Sequence, residues 1–114
     1  MDNCIFCKII NGDIPSQKIY EDDKVLVFKD INPEAPVHIL AIPKEHIESV
    51  NEINEENSLI INHIFLVISK VTKDLGIDKT GYRIVNNCGK DGLQTVPHLH
   101  FHVFGGKTLK WPPV

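Results

Sequence analysis

Residues 98–104, HLHFHVF, alternate histidine with a bulky apolar residue three times in succession. Successive side chains of a β-strand point to opposite faces of the sheet. A strand here would place His98, His100 and His102 on one face, and the apolar residues between them on the other. Because three imidazoles make a poor apolar core, we expect one face to pack and the other to carry chemistry.

The rest of the chain predicts an α+β fold with a sheet of about five strands and one long helix. The expected strands span residues 18–20, 25–29, 37–42, 81–87 and 98–104. We expect Asn54 to cap the helix, Glu55 and Glu56 to lie in its first turn, and Gly76 to end it. Between these limits, apolar residues recur every three or four positions: Ile60, Ile64, Ile68, Val71 and Leu75. Short turns between the strands favour an antiparallel sheet with the helix on one face.

Composition excludes several classes of protein. At 114 residues with 42% hydrophobic content, the chain has the size of one domain. A net charge of −3 argues against a protein that gains affinity by neutralising nucleic-acid phosphates. The longest apolar run, residues 64–68, is too short to span a bilayer. With three cysteines and no recognisable secretory signal, we expect a reducing cytoplasm and no disulfide framework.

Three interpretations of the aligned histidines are open. They could form a polar face that meets solvent. Neutral imidazoles two residues apart on a strand could instead converge on a zinc ion that keeps an open position for water. In the third interpretation, an unprotonated imidazole attacks phosphorus and forms a covalent intermediate, while a partner on its second nitrogen fixes its tautomer. Spacing alone does not separate the last two.

The loop before the histidines, residues 86–95, offers backbone amides, small residues, an amide side chain and a hydroxyl. Such a loop can donate hydrogen bonds to phosphate oxygens, although its sequence does not match a P-loop. Its other interpretation is an ordinary connection between two strands.

The histidine segment resembles the signature of the histidine triad (HIT) superfamily, and the flanking segments resemble its Hint-like branch. Those segments are residues 8–10, 14–15, 20–23, 30–33, 35–38, 42–44 and 111–113. The resemblance covers essentially the whole chain and implies a single HIT domain at residues 1–114.

The resemblance implies a nucleotide-binding phosphoramidase or hydrolase that cleaves purine nucleoside 5′-monophosphate derivatives, such as adenosine phosphoramidates, at the α-phosphorus. His100 matches the family's nucleophile and would form a nucleotidyl-histidine intermediate. His102 would donate to an α-phosphate oxygen, and His38 matches a supporting active-site histidine. Thr95 is the candidate to help protonate the leaving group.

The same resemblance implies a nucleotide site. Asp30 would accept hydrogen bonds from the ribose hydroxyls. The positions that match the base pocket, each of which could equally be plain core, are Phe6, Ile9, Phe28 and Ile31. The phosphate side would include Asn87, Leu93, Gln94, Thr95, His100 and His102. Leu93 stands where Hint-like proteins usually carry glycine and Pro97 where a tyrosine is common. Because leucine does not adopt a positive φ cheaply, we expect the geometry of the phosphate loop to be affected.

Cys4 and Cys7 form a Cys-x-x-Cys motif, which is compatible with a redox pair, half a zinc site or two small apolar residues. No βαβ pattern of a redox motif follows it. In zinc-containing members of the superfamily the remaining ligands match His46 and His98. The resemblance therefore implies a closed, structural zinc site made by Cys4, Cys7, His46 and His98.

Two residues have no assigned role: Cys88 is an unpaired cysteine in the loop, and His63 is a surface residue without an evident partner.

The resemblance implies a homodimer, with residues 111–114 reaching toward the partner's active site. Three other functions stay open beside the phosphoramidase. They are a dinucleoside polyphosphate hydrolase, a metal-dependent hydrolase, and a nucleotide-binding protein without activity.

Overall fold

The computed structural model describes residues 3–114, and within them the chain forms five strands, two α-helices and one 3₁₀ turn. The helices are α1 (Ile5–Ile10) and α2 (Leu59–Asp74), and the 3₁₀ turn spans Val50–Glu52. The strands are β1 (Lys18–Glu21), β2 (Val25–Lys29), β3 (Val37–Pro43), β4 (Tyr82–Val85) and β5 (Phe101–Gly105).

All five strands belong to one sheet in the order β1-β2-β3-β5-β4, and every neighbouring pair is antiparallel. β3 lies at the centre, which agrees with its run of apolar and β-branched residues and with the burial of every residue after Val37. The predicted α+β fold with a five-stranded antiparallel sheet and one main helix is confirmed. No helix within residues 3–114 is long and apolar enough to cross a membrane.

Each face of the sheet is covered by a helix. Alternate residues of β2 point to opposite sides, so Val25 and Val27 face α2 whereas Leu26 and Phe28 face α1. α1 is not among the predicted elements. This helix has only six residues, and its N-cap is Cys4, whose Sγ accepts a hydrogen bond from the Cys7 backbone N–H at 3.3 Å. Cysteine is not among the usual capping residues, so the local sequence did not indicate a helix here.

The predicted start of α2 is wrong. Asn54 Oδ1 accepts from the backbone N–H groups of Glu56 and Asn57, so it caps a turn that precedes the helix. The helix itself begins at Leu59, which leaves Glu55 and Glu56 outside it. Its end agrees with the prediction, because Gly76 follows the C-cap residue with a φ of +78°.

The last strand also begins later than predicted. Its hydrogen-bonded ladder starts at Phe101, so His98, which lies in a bend, and His100 belong to the segment that leads into β5. Both histidines are buried, His98 completely, because α1 covers this face of the sheet. The face expected to carry chemistry is therefore itself covered at these two residues, and the interpretation of a polar face that meets solvent does not hold for them. β4 is shorter than predicted as well and ends at Val85.

Asp22 connects the β1–β2 turn to α2. Its carboxylate accepts hydrogen bonds from the Tyr20 hydroxyl, from the backbone N–H groups of Lys24 and Val25, and from His63 Nε2 at 2.7 Å. Burial raises the pKa of this carboxyl, but the four donors outweigh it and hold the pKa well below its usual range. The expectation that His63 lacks a partner is wrong, since the partner lies 41 residues away in sequence.

Candidate active site and metal-ligand cluster

Four side chains meet beneath α1 in what we call the metal-ligand cluster: Cys4, Cys7, His46 and His98. Cys4 Sγ lies 3.3 Å from His98 Nδ1, and Cys7 Sγ lies 3.3 Å from His46 Nδ1. The two Nδ1 atoms are 3.2 Å apart, and all four candidate ligand atoms lie within 4.8 Å of one another. This cluster could hold a metal ion, and two thiols with two imidazoles are a donor set that zinc prefers.

The protonation of His98 suits a metal ligand. Its Nε2 lies 2.8 Å from the Pro43 carbonyl oxygen, which only accepts, so Nε2 carries the hydrogen and Nδ1 presents a lone pair to the thiols. Burial lowers the pKa of His98 to about 4, so the ring is neutral near pH 7. Burial also raises the pKa of the Cys7 thiol to about 11, so a bound cation would be needed to make it a thiolate at neutral pH.

His100 is held in the complementary tautomer. Its Nδ1 lies 2.7 Å from the carbonyl oxygen of His98, so Nδ1 donates and Nε2 carries the free lone pair. The Phe6 ring packs edge-on against the imidazole at 5.1 Å between centroids. Burial lowers the pKa of His100, which keeps the lone pair available at neutral pH.

Asn86, which has no predicted role, contacts the backbone of His100. Its Nδ2 donates to the carbonyl oxygen of His100 at 2.8 Å. The β4–β5 ladder stops at the pair Val85–His102, so this side chain holds the backbone of His100 where no strand partner remains. The sequence placed Asn86 inside the predicted strand 81–87, and no specific signal pointed to this contact.

His38 and His102 face each other across β3 and β5. His38 Nε2 lies 2.9 Å from His102 Nδ1 and 3.4 Å from Asp30 Oδ2. Phe104 stacks on the His102 ring with an interplanar angle of 9°. Burial lowers the pKa values of both imidazoles, that of His102 to about 4.

The structure separates the residues expected at the base pocket. Phe6, Ile9 and Phe28 are buried together under α1, whereas Ile31 is 91% exposed. Asp30 Oδ1 accepts from the backbone N–H of Asn32, which leaves Oδ2 directed toward His38.

The loop before the histidines is braced by its own side chains. Gln94 Nε2 donates to the carbonyl oxygens of Glu48 and Val96, and its Oε1 accepts from the backbone N–H of Gly89. Asn87 Nδ2 donates to the carbonyl oxygen of Gly92. The amides of both residues thus already hold the loop together. Thr95 is exposed, and Cys88 is a partly buried free thiol.

Leu93 adopts the conformation that we expected leucine to avoid, with a φ of +57°. The left-handed region costs a residue other than glycine roughly 1–2 kcal/mol. The neighbouring Gly92 is required for a different reason, because a Cβ there would lie 2.4 Å from the backbone oxygen of Cys88. The loop therefore keeps a glycine-like shape at Leu93 and stores strain there.

An α+β fold with histidines at alternate positions leading into and lying on β5, two of them buried and each with a defined partner, is the arrangement of a histidine triad protein. A family model described as "Scavenger mRNA decapping enzyme C-term binding" matches residues 3–110. An uncharacterized HIT-like protein of Buchnera aphidicola subsp. Baizongia pistaciae is 50% identical over 105 residues, covering 92% of this chain and 94% of the relative. The chain belongs to the HIT family.

Two solved structures share this fold. The HIT family hydrolase from Clostridium thermocellum is 51% identical with a TM-score of 0.97, covering 100% of this chain and 99% of that one. A histidine triad nucleotide-binding protein from Candida albicans is 37% identical with a TM-score of 0.82, covering 98% of this chain and 85% of that one.

The lowered histidine pKa values predict acid sensitivity. His98 and His102 have folded-state pKa values of about 4, against 6.5 for an ordinary imidazole. The unfolded chain therefore binds more protons between these limits, and the free energy of unfolding falls as the pH is lowered from 6.5 to 4. We expect His102→Asn to make this dependence shallower than in the wild type in urea titrations of the two untreated proteins, because metal release contributes equally to both. If the free energy of unfolding depended equally on pH in the wild type and in His102→Asn, the lowered pKa of His102 would be contradicted.

Proposed function

We propose that this protein is a nucleotide-binding hydrolase that cleaves purine nucleoside 5′-phosphoramidates through a covalent intermediate on His100. The observation that carries the proposal is the bond from His100 Nδ1–H to the His98 carbonyl oxygen, which leaves an unprotonated Nε2. A neutral imidazole with one fixed nitrogen is the form that a histidine nucleophile needs. The solved relatives named as a hydrolase and as a nucleotide-binding protein support the proposal.

The first step forms a bond from His100 Nε2 to the α-phosphorus and breaks the bond from phosphorus to the leaving amine. The amine keeps that electron pair and takes a proton, for which the exposed Thr95 hydroxyl is the candidate relay, since it can pass on its proton while taking another from solvent. The nucleotidylated imidazole still carries hydrogen on Nδ1 and gains positive charge. The carbonyl oxygen of His98, 2.7 Å from Nδ1, stabilises that charge.

In the second step water attacks the phosphorus, the bonding pair returns to Nε2, and a water proton passes to solvent. In the proposed site, His102 donates to a phosphate oxygen and Asp30 accepts from the ribose hydroxyls. Phe6, Ile9 and Phe28 supply an apolar surface for the base, and Ile31, which is exposed and outside their cluster, would contact the base only from solvent. Asn87, Leu93 and Gln94 shape the phosphate loop through their backbone and braced side chains.

A metal-dependent hydrolase that uses the three triad histidines as ligands is disfavoured. His98 Nδ1 points to the thiols, and His100 Nδ1 points to a carbonyl oxygen. Their free nitrogens therefore do not converge on one ion. A dinucleoside polyphosphate hydrolase would use the same nucleophile with a different leaving group, and a binding protein without activity would bind nucleotide without turnover.

We predict that His100→Ala lowers turnover of an adenosine phosphoramidate by at least about 10³-fold, because the attacking nitrogen is lost. Binding of adenosine monophosphate should stay roughly intact. Mass spectrometry of the rapidly quenched wild-type reaction should find a nucleotide adduct on His100.

The matched control for this variant is His63→Ala, which removes an imidazole on α2 and should retain turnover. Fast turnover with no adduct in the quenched reaction would refute the covalent route. Immediate loss of activity on chelation, with rescue by added metal, would favour the metal-dependent hydrolase. Binding without turnover in the wild type would leave the protein a nucleotide binder.

We also propose that the metal-ligand cluster binds structural zinc. The four donors leave no position for substrate, and the site links α1 to the segments that follow β3 and precede β5. A reducing cytoplasm, where we place the protein, keeps both thiols available.

For zinc, the expectation is a near-equimolar ratio to the purified chain in elemental analysis under non-chelating conditions. Cys7→Ser should lose most of the metal because a thiolate ligand is removed, whereas Cys88→Ser should keep it. Chelation should reduce activity only as the protein unfolds. A wild-type protein without zinc would overturn the assignment.

A symmetric dimer is the third part of the proposal. Leu59 and Leu66 on α2 are 78% and 62% exposed, and β4 lies at an edge of the sheet. Light scattering at micromolar concentration should give twice the chain mass of 12.9 kDa. Leu66→Glu should shift the protein to monomer, and Val50→Glu, a similar change on the 3₁₀ turn, should not. A monomeric wild type would contradict the proposal.

A further inference from the structure

Asp30, His38 and His102 form a second group of side chains whose ligand atoms lie within 4.8 Å of one another. A carboxylate with two imidazoles is also a donor set for transition metals. His38 Nε2 is 2.9 Å from His102 Nδ1 and 3.4 Å from Asp30 Oδ2. Ligand atoms about 2.1 Å from one ion would be separated by similar distances, so these spacings alone do not distinguish a metal site from a chain of hydrogen bonds.

The backbone of Glu34 makes the distinction. Its N–H group points at His38 Nδ1, with 3.1 Å between the nitrogens. A backbone N–H only donates, so His38 Nδ1 must present a lone pair. The single hydrogen of the neutral ring is then on Nε2. If the His38 ring were doubly protonated, its Nδ1–H and the Glu34 N–H would be two donors pointing at each other.

The tautomer of His38 also determines the tautomer of His102. The hydrogen on His38 Nε2 points at His102 Nδ1, its nearer acceptor, and Asp30 Oδ2 is the more distant one. His102 Nδ1 therefore accepts, and the hydrogen of His102 is on Nε2. Within residues 3–114, no hydrogen-bond partner faces that Nε2, which leaves it free to donate to a ligand.

We propose that the Glu34 backbone amide fixes the tautomers of His38 and His102 in series and thereby closes the Asp30–His38–His102 group to metal ions. A metal on His38 Nε2 would require the hydrogen to move to Nδ1, where the Glu34 N–H already points, or would require an anionic ring. His98 has the opposite arrangement, since its second nitrogen faces the Pro43 carbonyl oxygen and its Nδ1 is free for a metal. The Pro43 carbonyl oxygen thus leaves His98 able to bind a metal, whereas the Glu34 N–H closes the Asp30–His38–His102 group to one.

The inference rests on the proposed function in one respect only, namely that the Nε2–H of His102 meets a substrate phosphate. The Glu34 amide and His38 are positioning groups in this scheme. The tautomers and the metal preference are measurable without substrate, so their failure is distinguishable from failure of the proposed hydrolysis.

The wild-type protein provides the first test. Nitrogen-15 NMR of the histidine rings at neutral pH should show hydrogen on Nε2 and a bare Nδ1 for both His38 and His102. A hydrogen on His38 Nδ1 would overturn the proposal, whatever the variants do.

The second test compares Glu34→Pro, which deletes the backbone N–H, with Glu34→Ala, which removes the side chain and keeps that N–H. In cobalt(II) titrations, wild type and Glu34→Ala should bind one strong equivalent with thiolate-to-cobalt absorption from the metal-ligand cluster. Glu34→Pro should bind a second equivalent, without that absorption, about tenfold more tightly than Glu34→Ala does, since loss of one hydrogen bond frees His38 Nδ1 for protonation. Equal second-site affinity in the two folded variants would refute the role of the amide. If Glu34→Pro does not fold, the wild-type NMR result decides the question.

Discussion

The site depends on the contacts made by His98, whose imidazole is buried. Its Nε2–H is bound to the Pro43 carbonyl oxygen, and its Nδ1 faces the thiols beneath α1. Its own carbonyl oxygen accepts from His100 Nδ1 and so fixes the ring that carries the proposed nucleophile. One residue thus connects the central strand, the N-terminal helix and the reacting group. A shift of His98 would change the metal-ligand cluster and the His100 tautomer together.

The three triad histidines are chemically different because their partners differ. Carbonyl oxygens face one nitrogen each of His98 and His100, and an imidazole faces His102. Burial lowers the pKa values of all three rings, so they are neutral near pH 7 and each has one donor and one acceptor nitrogen. In such a group, the direction of each backbone dipole decides which atom can attack, donate or bind a metal.

Much of the architecture could be predicted because it depends on local pattern. The runs of apolar and β-branched residues in β2 and β3 and the helical spacing in α2 are properties of short segments. The grouping of Cys4, Cys7, His46 and His98 came from the family resemblance, and their proximity in the structure agrees with it. What the sequence did not reveal depends on distant contacts. The Asp22–His63 bond spans 41 residues, and the Asn86 contact with His100 exists only because the β4–β5 ladder stops one residue earlier. The start of α2 was predicted wrongly at Asn54 because an asparagine side chain can cap a turn in the same way as it caps a helix.

The position of α1 at the start of the chain has a consequence for biosynthesis. Cys4 and Cys7 are synthesised well before His98, which faces both sulfurs and lies 94 residues after Cys4. Translation proceeds at roughly 5–20 residues per second, so the two thiols spend several seconds without their partners. Throughout that interval they are open to oxidation or to capture of a metal ion by the cysteines alone. The final geometry of the site can therefore form only after His98 has been synthesised.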